Sequence, residues 1–182
     1  MAVSPVILNK LPFDAELDYN LHFTYSGSQI YGYRVLIQNN VDHAVVYDNT
    51  TMGSQNIVFN SVAIIPANTL INGNIYNFQI SVFDYKLNTD GVYEYIESPL
   101  SNIVVLNCLK TPIFTFSNIT QNTIVRNSFV DAEISYYQEN GELLNLYTVY
   151  LYAANQSLIW SSDVQYANTE TVRVSELMDD TT

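Results

Sequence analysis

The chain has 182 residues, 48% hydrophobic and only 13% charged, which suits one or two globular domains and excludes a charge-driven disordered chain. Eighteen acidic residues against six basic ones give a net charge of −12, and Lys10, Arg34, Lys86, Lys110, Arg126 and Arg173 are scattered. No basic patch is therefore expected, and nucleic acid and anionic lipid are not expected as partners.

Hydrophobic alternation with period two recurs along the chain, while helical periodicity is hard to find. The opening run Val6 to Leu11 reads as a first strand. Asp14, Glu16 and Asp18 lie at period two and would share a solvated strand face. Leu17, Tyr19, Leu21, Phe23 and Tyr25 alternate with polar residues, placing His22 on the wet side of a half-buried strand. Ser26-Gly27-Ser28 turns the chain, and Tyr31, Tyr33, Val35 and Ile37 then form one face of a strand ending at Asn39-Asn40. Ala44 to Tyr47 make a short run closed by Asp48-Asn49-Thr50. Ile57 to Ile65 reads as a strand apolar on both faces, ended by Pro66. Leu70 to Asn74 is a turn with Gly73 available for positive φ, after which Tyr76, Phe78, Ile80 and Val82 define the clearest strand. A long loop is expected from Asp84 to Pro99, then a last strand from Ser101 to Leu106. Seven short strands separated by turn signals point to a sandwich or barrel.

Cys108, the only cysteine, excludes an intrachain disulfide and reads as a buried, inert thiol after the apolar run 103–106. Lys110-Thr111-Pro112 reads as a linker, and an internal repeat follows it. Tyr25 to Ile37 is echoed by Tyr137 to Leu151, and Ala44 to Asp48 by Ser157 to Ser161. The expected organisation is a first domain over 1–108, a linker over 109–112 and a second, partial domain over 113–182. Counterparts of the first copy's last strands are missing from the second, so a longer chain or a partner strand is expected to complete it.

Leu70-Ile71-Asn72-Gly73-Asn74-Ile75-Tyr76, followed by an alternating apolar strand, resembles the fibronectin type III signature around the tyrosine corner. The resemblance implies an all-β fold of tandem immunoglobulin-like β-sandwiches. In it the Tyr76 hydroxyl bonds backbone just upstream and Leu70 packs beneath the ring. Glu97-Ser98-Pro99-Leu100-Ser101-Asn102 resembles that family's entry to its final strand. The family's core Trp is absent from the second strand, so Phe23 or Tyr25 is expected to fill its space. More narrowly, Phe23 to Gln29, Ile37 to Asn40, Val46-Tyr47-Asp48 and Ile65 to Leu70 resemble domains in structural tail proteins of phages infecting Gram-positive bacteria.

Sites of chemistry are sparse. His22 and His43 have no Cys or His at ligand spacing, so no metal site and no cofactor are expected. No phosphate loop or nucleophile elbow occurs. The ordered calcium-loop spacing is absent among Asp84, Asp90, Glu94 and Glu97. The N-x-[ST] matches at Asn49, Asn118 and Asn155 carry no signal in so Asn-rich a chain. The candidate contact residues are Tyr85, Tyr93 and Tyr95, because tyrosine offers a large amphipathic face with few rotatable bonds; the alternative is that they pack across the loop and cover the sandwich end.

The expectation is a non-enzymatic virion protein of a phage tail, a tail fibre or baseplate-associated component serving attachment or assembly. Its partners would be other tail proteins, further copies of itself (a trimer for a fibre) and a host surface glycan or protein. The alternative is an accessory binding module of a secreted glycan-degrading enzyme or surface adhesin. Met1 to Pro5 lacks the features of a secretory leader and no window approaches ~20 apolar residues, so synthesis in the host cytoplasm without membrane insertion is expected.

Overall fold

A computed structural model of the chain describes residues 3–27, 29–54, 58–120, 124–166, 171–175 and 177. It is all-β and antiparallel, with no helix among the described residues. The chain divides into two compact units, Met1–Lys110 and Thr111–Thr182, so the division falls inside the Lys110-Thr111-Pro112 segment.

The first unit contains β1 (Val6–Ile7), β2 (Tyr19–Thr24), β3 (Gly32–Asn39), β4 (Val45–Met52), β5 (Val62–Ile65), β6 (Ile75–Leu87), β7 (Tyr93–Glu97) and β8 (Val104–Asn107). One sheet has the order β1-β2-β5; the other runs β4-β3-β6-β7, with β8 also paired to β6. Alternation decides which side chains meet between them. Leu21 and Phe23 from β2 and Ala63 and Ile65 from β5 join Val35 and Ile37 from β3 and Phe78, Ile80 and Val82 from β6 in one buried cluster. Both sheets thus share a single core. Phe23, not Tyr25, sits in its interior, edge-on to Tyr33 with centroids 6.4 Å apart.

Several elements differ from the expected ones. The acids Asp14, Glu16 and Asp18 do not share a strand face, because a turn occupies 15–16 and β2 begins at Tyr19. Their carboxylates instead hold the chain entry in place. Asp14 Oδ1 accepts from Asn72 Nδ2 (2.7 Å) and from Glu16 N (3.0 Å), Asp18 Oδ1 accepts from Ala67 N (2.8 Å), and Glu16 pairs with Lys110. β4 continues through Asp48-Asn49-Thr50 to Met52. It has β3 on one side and no second neighbour among the described residues, and a lone edge tolerates polar side chains. The expected strand from Ile57 to Ile65 shrinks to β5. Ile57 and the turn residue Ser28 lie outside the described residues, and Phe59 is loop, its N–H bonded to the Ile30 carbonyl (2.8 Å).

β7 and β8 pair in line with the same edge of β6, and between them the ladder is interrupted at Pro99, which has no N–H to donate. The β6 N–H groups of Val82 and Ile80 are satisfied there by the hydroxyls of Ser98 (3.0 Å) and Ser101 (3.1 Å). The last strand therefore starts at Val104 rather than Ser101.

Cys108 is fully buried, and that burial, with the Asp14 charge second, pushes its thiol up to about 12. The nucleophilic thiolate is therefore suppressed at neutral pH. Native protein is expected to resist a thiol-labelling reagent and to react fully in urea, as a mass-shift assay would read.

The second unit contains β9 (Ile113–Phe116), β10 (Val130–Tyr137), β11 (Leu146–Tyr147), β12 (Tyr150–Tyr152), β13 (Leu158–Ser161), β14 (Gln165–Tyr166) and β15 (Thr171–Val174). They form a three-stranded sheet of order β15-β10-β9 and two ribbons, β11-β14 and β12-β13. A small core gathers Ala132, Tyr147, Val149, Val172 and Val174. In the ribbon Leu151 lies opposite Trp160, and the register slips between Leu151 and Tyr152. In the first unit Ile37 lies opposite Tyr47, and the register slips between Ile37 and Gln38. The same cross-strand pair and the same bulge thus occur at the positions that echo each other in sequence.

Candidate functional site

The segment from Asp84 to Pro99 is not a loop. β6 runs on to Leu87, turns, and returns as β7, so Tyr85, Tyr93 and Tyr95 stand on a two-stranded extension of the sheet. Asn88-Thr89-Asp90-Gly91 makes the turn. Asn88 Oδ1 accepts the N–H groups of Asp90 (3.0 Å) and Val92 (2.9 Å), and Gly91 takes the positive φ of 76° that favours glycine. Asp-Gly between alternating tyrosines was the available hairpin signal.

Register then assembles the surface. Tyr85 lies directly opposite Tyr95, and Leu87 opposite Tyr93. The Tyr85 and Tyr93 rings stack across the diagonal at 4.9 Å and 12°, and Tyr85 and Tyr95 meet at 4.9 Å. Tyr31, just before β3, adds a fourth ring at 5.5 Å from Tyr85, a role that alternation along its own segment does not reveal. Tyr93 is 56% exposed and Tyr95 39%. The Tyr95 hydroxyl donates to the Gly53 carbonyl (3.1 Å), tying the hairpin to the end of β4. Gly32 lets β4 lie close against β3, because a Cβ there would stand 2.7 Å from Met52 Sδ and 2.8 Å from the Thr51 carbonyl.

Four residues back along β6 from Tyr85, on the same face, Ser81 belongs to a polar ladder that sequence reasoning missed. Arg34 of β3 grips Asp48 of β4 through two bonds of 2.7 Å and reaches Glu97 of β7 at 3.9 Å, while the Ser81 hydroxyl of β6 donates to Glu97. The Arg34 hydrogen bond holds the Asp48 carboxyl below its ordinary range. A depressed carboxylate contributes stability above the unfolded pKa, near 3.9, and loses it as pH falls through the folded value. Both partners are about one-third exposed, so solvent screening keeps the contribution below about 1 kcal/mol. Asp48→Asn is expected to lower stability by that amount at neutral pH and by nothing in strong acid, as urea melts at the two pH values would show.

The acids of this region do not converge. Asp84 and Glu94 point to one side of the hairpin and Glu97 to the other, and Asp84 pairs with Lys86 at 2.9 Å. His22 is exposed on β2, and His43 occupies the β3–β4 turn with φ 58°. Among the described residues no group of three or more His, Cys, Asp or Glu could hold a metal ion, and no helix is long and apolar enough to cross a membrane. A cavity of about 330 Å³ in the second unit is lined by Trp160, Asp163, Gln165 and Arg173 among others. Arg173 is committed there to Asp131 (2.8 and 3.0 Å) and stacks on Phe129.

The corner between the sheets has its own anchor. The Tyr76 hydroxyl accepts from Ile71 N (3.2 Å), five residues upstream, and from Asn74 Nδ2 (3.3 Å). Leu70 is buried in the same cluster as the Tyr76 ring.

No protein-family model matches the chain, and no curated protein matches it.

Proposed function

We propose that the chain is a non-enzymatic structural protein of a phage tail, a tail-fibre or baseplate-associated component that serves attachment or assembly. It would be built from tandem sandwiches of fibronectin type III kind. The tail reading rests on the resemblance of residues 23–29, 37–40, 46–48 and 65–70. The sandwich type is supported by the Tyr76 hydroxyl bonded to the Ile71 N–H and by Leu70 beneath the ring. The repeated pairs Ile37–Tyr47 and Leu151–Trp160, each followed by a bulge, support the reading of two copies.

The observation that carries the contact role is the cluster of Tyr31, Tyr85, Tyr93 and Tyr95 on one sheet face. Stacked tyrosines lose little side-chain entropy on binding and offer both a ring face and a hydroxyl. The surface suits other tail proteins, further copies of the chain or a host glycan or protein. The test is mass spectrometry of density-purified particles. A stoichiometric chain in the virion supports the proposal, whereas a chain found only in culture fluid, joined to a hydrolase, supports an accessory binding module.

A further inference from the structure

The sequence contains Asn-Gly at Asn72-Gly73 and at Asn140-Gly141, and the fold treats the two steps differently. Glycine following asparagine leaves the backbone nitrogen unshielded, so that nitrogen can attack the side-chain amide wherever local geometry permits.

At the first step it does not. Asn72 is partly buried; its Oδ1 accepts from Ala15 N (2.9 Å) and its Nδ2 donates to Asp14 Oδ1 (2.7 Å). The Gly73 N–H, which would be the nucleophile, donates to the Cys108 carbonyl at 2.6 Å. These bonds join three distant stretches of the first unit, so freeing the nitrogen means opening the corner beneath Tyr76.

At the second step the bonds stay within one turn: Asn140 Oδ1 accepts from Gln138 Nε2 (3.3 Å), and the Glu142 N–H donates to Gln138 Oε1 (3.2 Å). Asn140 and Gly141 are both exposed in the turn between β10 and β11. The Gly141 N–H bonds to the Gln138 carbonyl at 3.1 Å, within the same turn. Gly141 has φ 82°, and a Cβ placed on it would meet nothing within 4 Å. The bond that this nitrogen must give up lies within the turn, whereas that of Gly73 reaches a distant strand end.

We infer that Asn140 is a site of spontaneous deamidation in the folded protein, while Asn72 is protected by the fold. The Gly141 nitrogen gives up its proton and bonds to Asn140 Cγ. The Cγ–Nδ2 bond breaks and ammonia leaves with that proton, closing a succinimide. Water then adds to either carbonyl, giving aspartate or isoaspartate at position 140. The net change is one water consumed and one ammonia released. The product adds a negative charge between Glu139 and Glu142, and isoaspartate also lengthens the main chain by one methylene within the turn.

The test compares the full chain, folded in buffer and unfolded in urea, both held at mildly alkaline pH and followed by peptide mass spectrometry with isoaspartate detection. In urea both asparagines convert. In the folded protein Asn140 is expected to convert at a similar rate, and Asn72 about tenfold or more slowly, because local opening must precede attack. The inference is overturned if Asn140 is protected in the folded protein as Asn72 is, or if both convert at their unfolded rates.

Discussion

Replacing Phe78 by alanine is expected to cost the first unit about 3–5 kcal/mol, the usual range for deleting a fully buried aromatic side chain. Phe78 is 0% exposed on the central strand β6, which pairs with β3 on one side and with β8 on the other. Phe13 and Tyr19 meet its ring edge-on at 6.0 and 6.3 Å, so its loss leaves a cavity bounded by rings already stacked on each other. Relaxation into that space is limited, which keeps the cost toward the upper end. A domain stable by about 5–15 kcal/mol would be left marginal. Cys108 provides the readout, since it belongs to the same core cluster. Its labelling in the absence of denaturant should rise about a hundredfold or more if reaction proceeds through opening of the unit. Unchanged labelling would mean that β6 is not the centre of the core.

The second large effect is functional. Tyr93→Ala is expected to weaken the contact made by the tyrosine surface by about 2 kcal/mol, a hot-spot value, or about thirtyfold in affinity. Tyr93 is the most exposed of the hairpin tyrosines and stacks face to face on Tyr85, so its removal takes away contact area while the core beneath is untouched. Stability should change by about 0.5 kcal/mol or less, as for surface positions generally. Under the proposed tail role, particles carrying the variant should contain folded chain but show weaker host adsorption or incomplete tails. Normal assembly together with normal adsorption would remove the surface from the contact role.

Much of this architecture was legible because alternation reports which way a side chain faces. It correctly placed Leu21 and Phe23 inward with His22 outward, and it grouped Tyr33, Val35 and Ile37 on one side of β3. Alternation does not report where pairing stops. Asp48-Asn49-Thr50 resembles a turn by composition, yet Arg34 reaches across from the neighbouring strand and holds Asp48 within β4. Val58 and Phe59 have strand composition but lie in a connection, where Phe59 packs edge-on against Tyr33 at 5.5 Å.

The contact surface was half legible. Tyr85, Tyr93 and Tyr95 could be singled out by residue type, whereas their common face depends on the hairpin register, which the Asn88–Gly91 turn sets. The ladder of Asp48, Arg34, Ser81 and Glu97 comes from four separate strands, and Tyr31 joins the tyrosine rings from just before β3. Only the lateral order β4-β3-β6-β7 brings them together, and no local window contains that order.

The most direct test of the contact role is a cryo-electron microscopy reconstruction of the purified particle, free and adsorbed to its host. The account predicts this chain in the tail, with a neighbouring copy, another tail protein or host material lying over Tyr85, Tyr93 and Tyr95 in at least one of the two states. A tail that contains the chain but leaves this face in solvent in both states would contradict it.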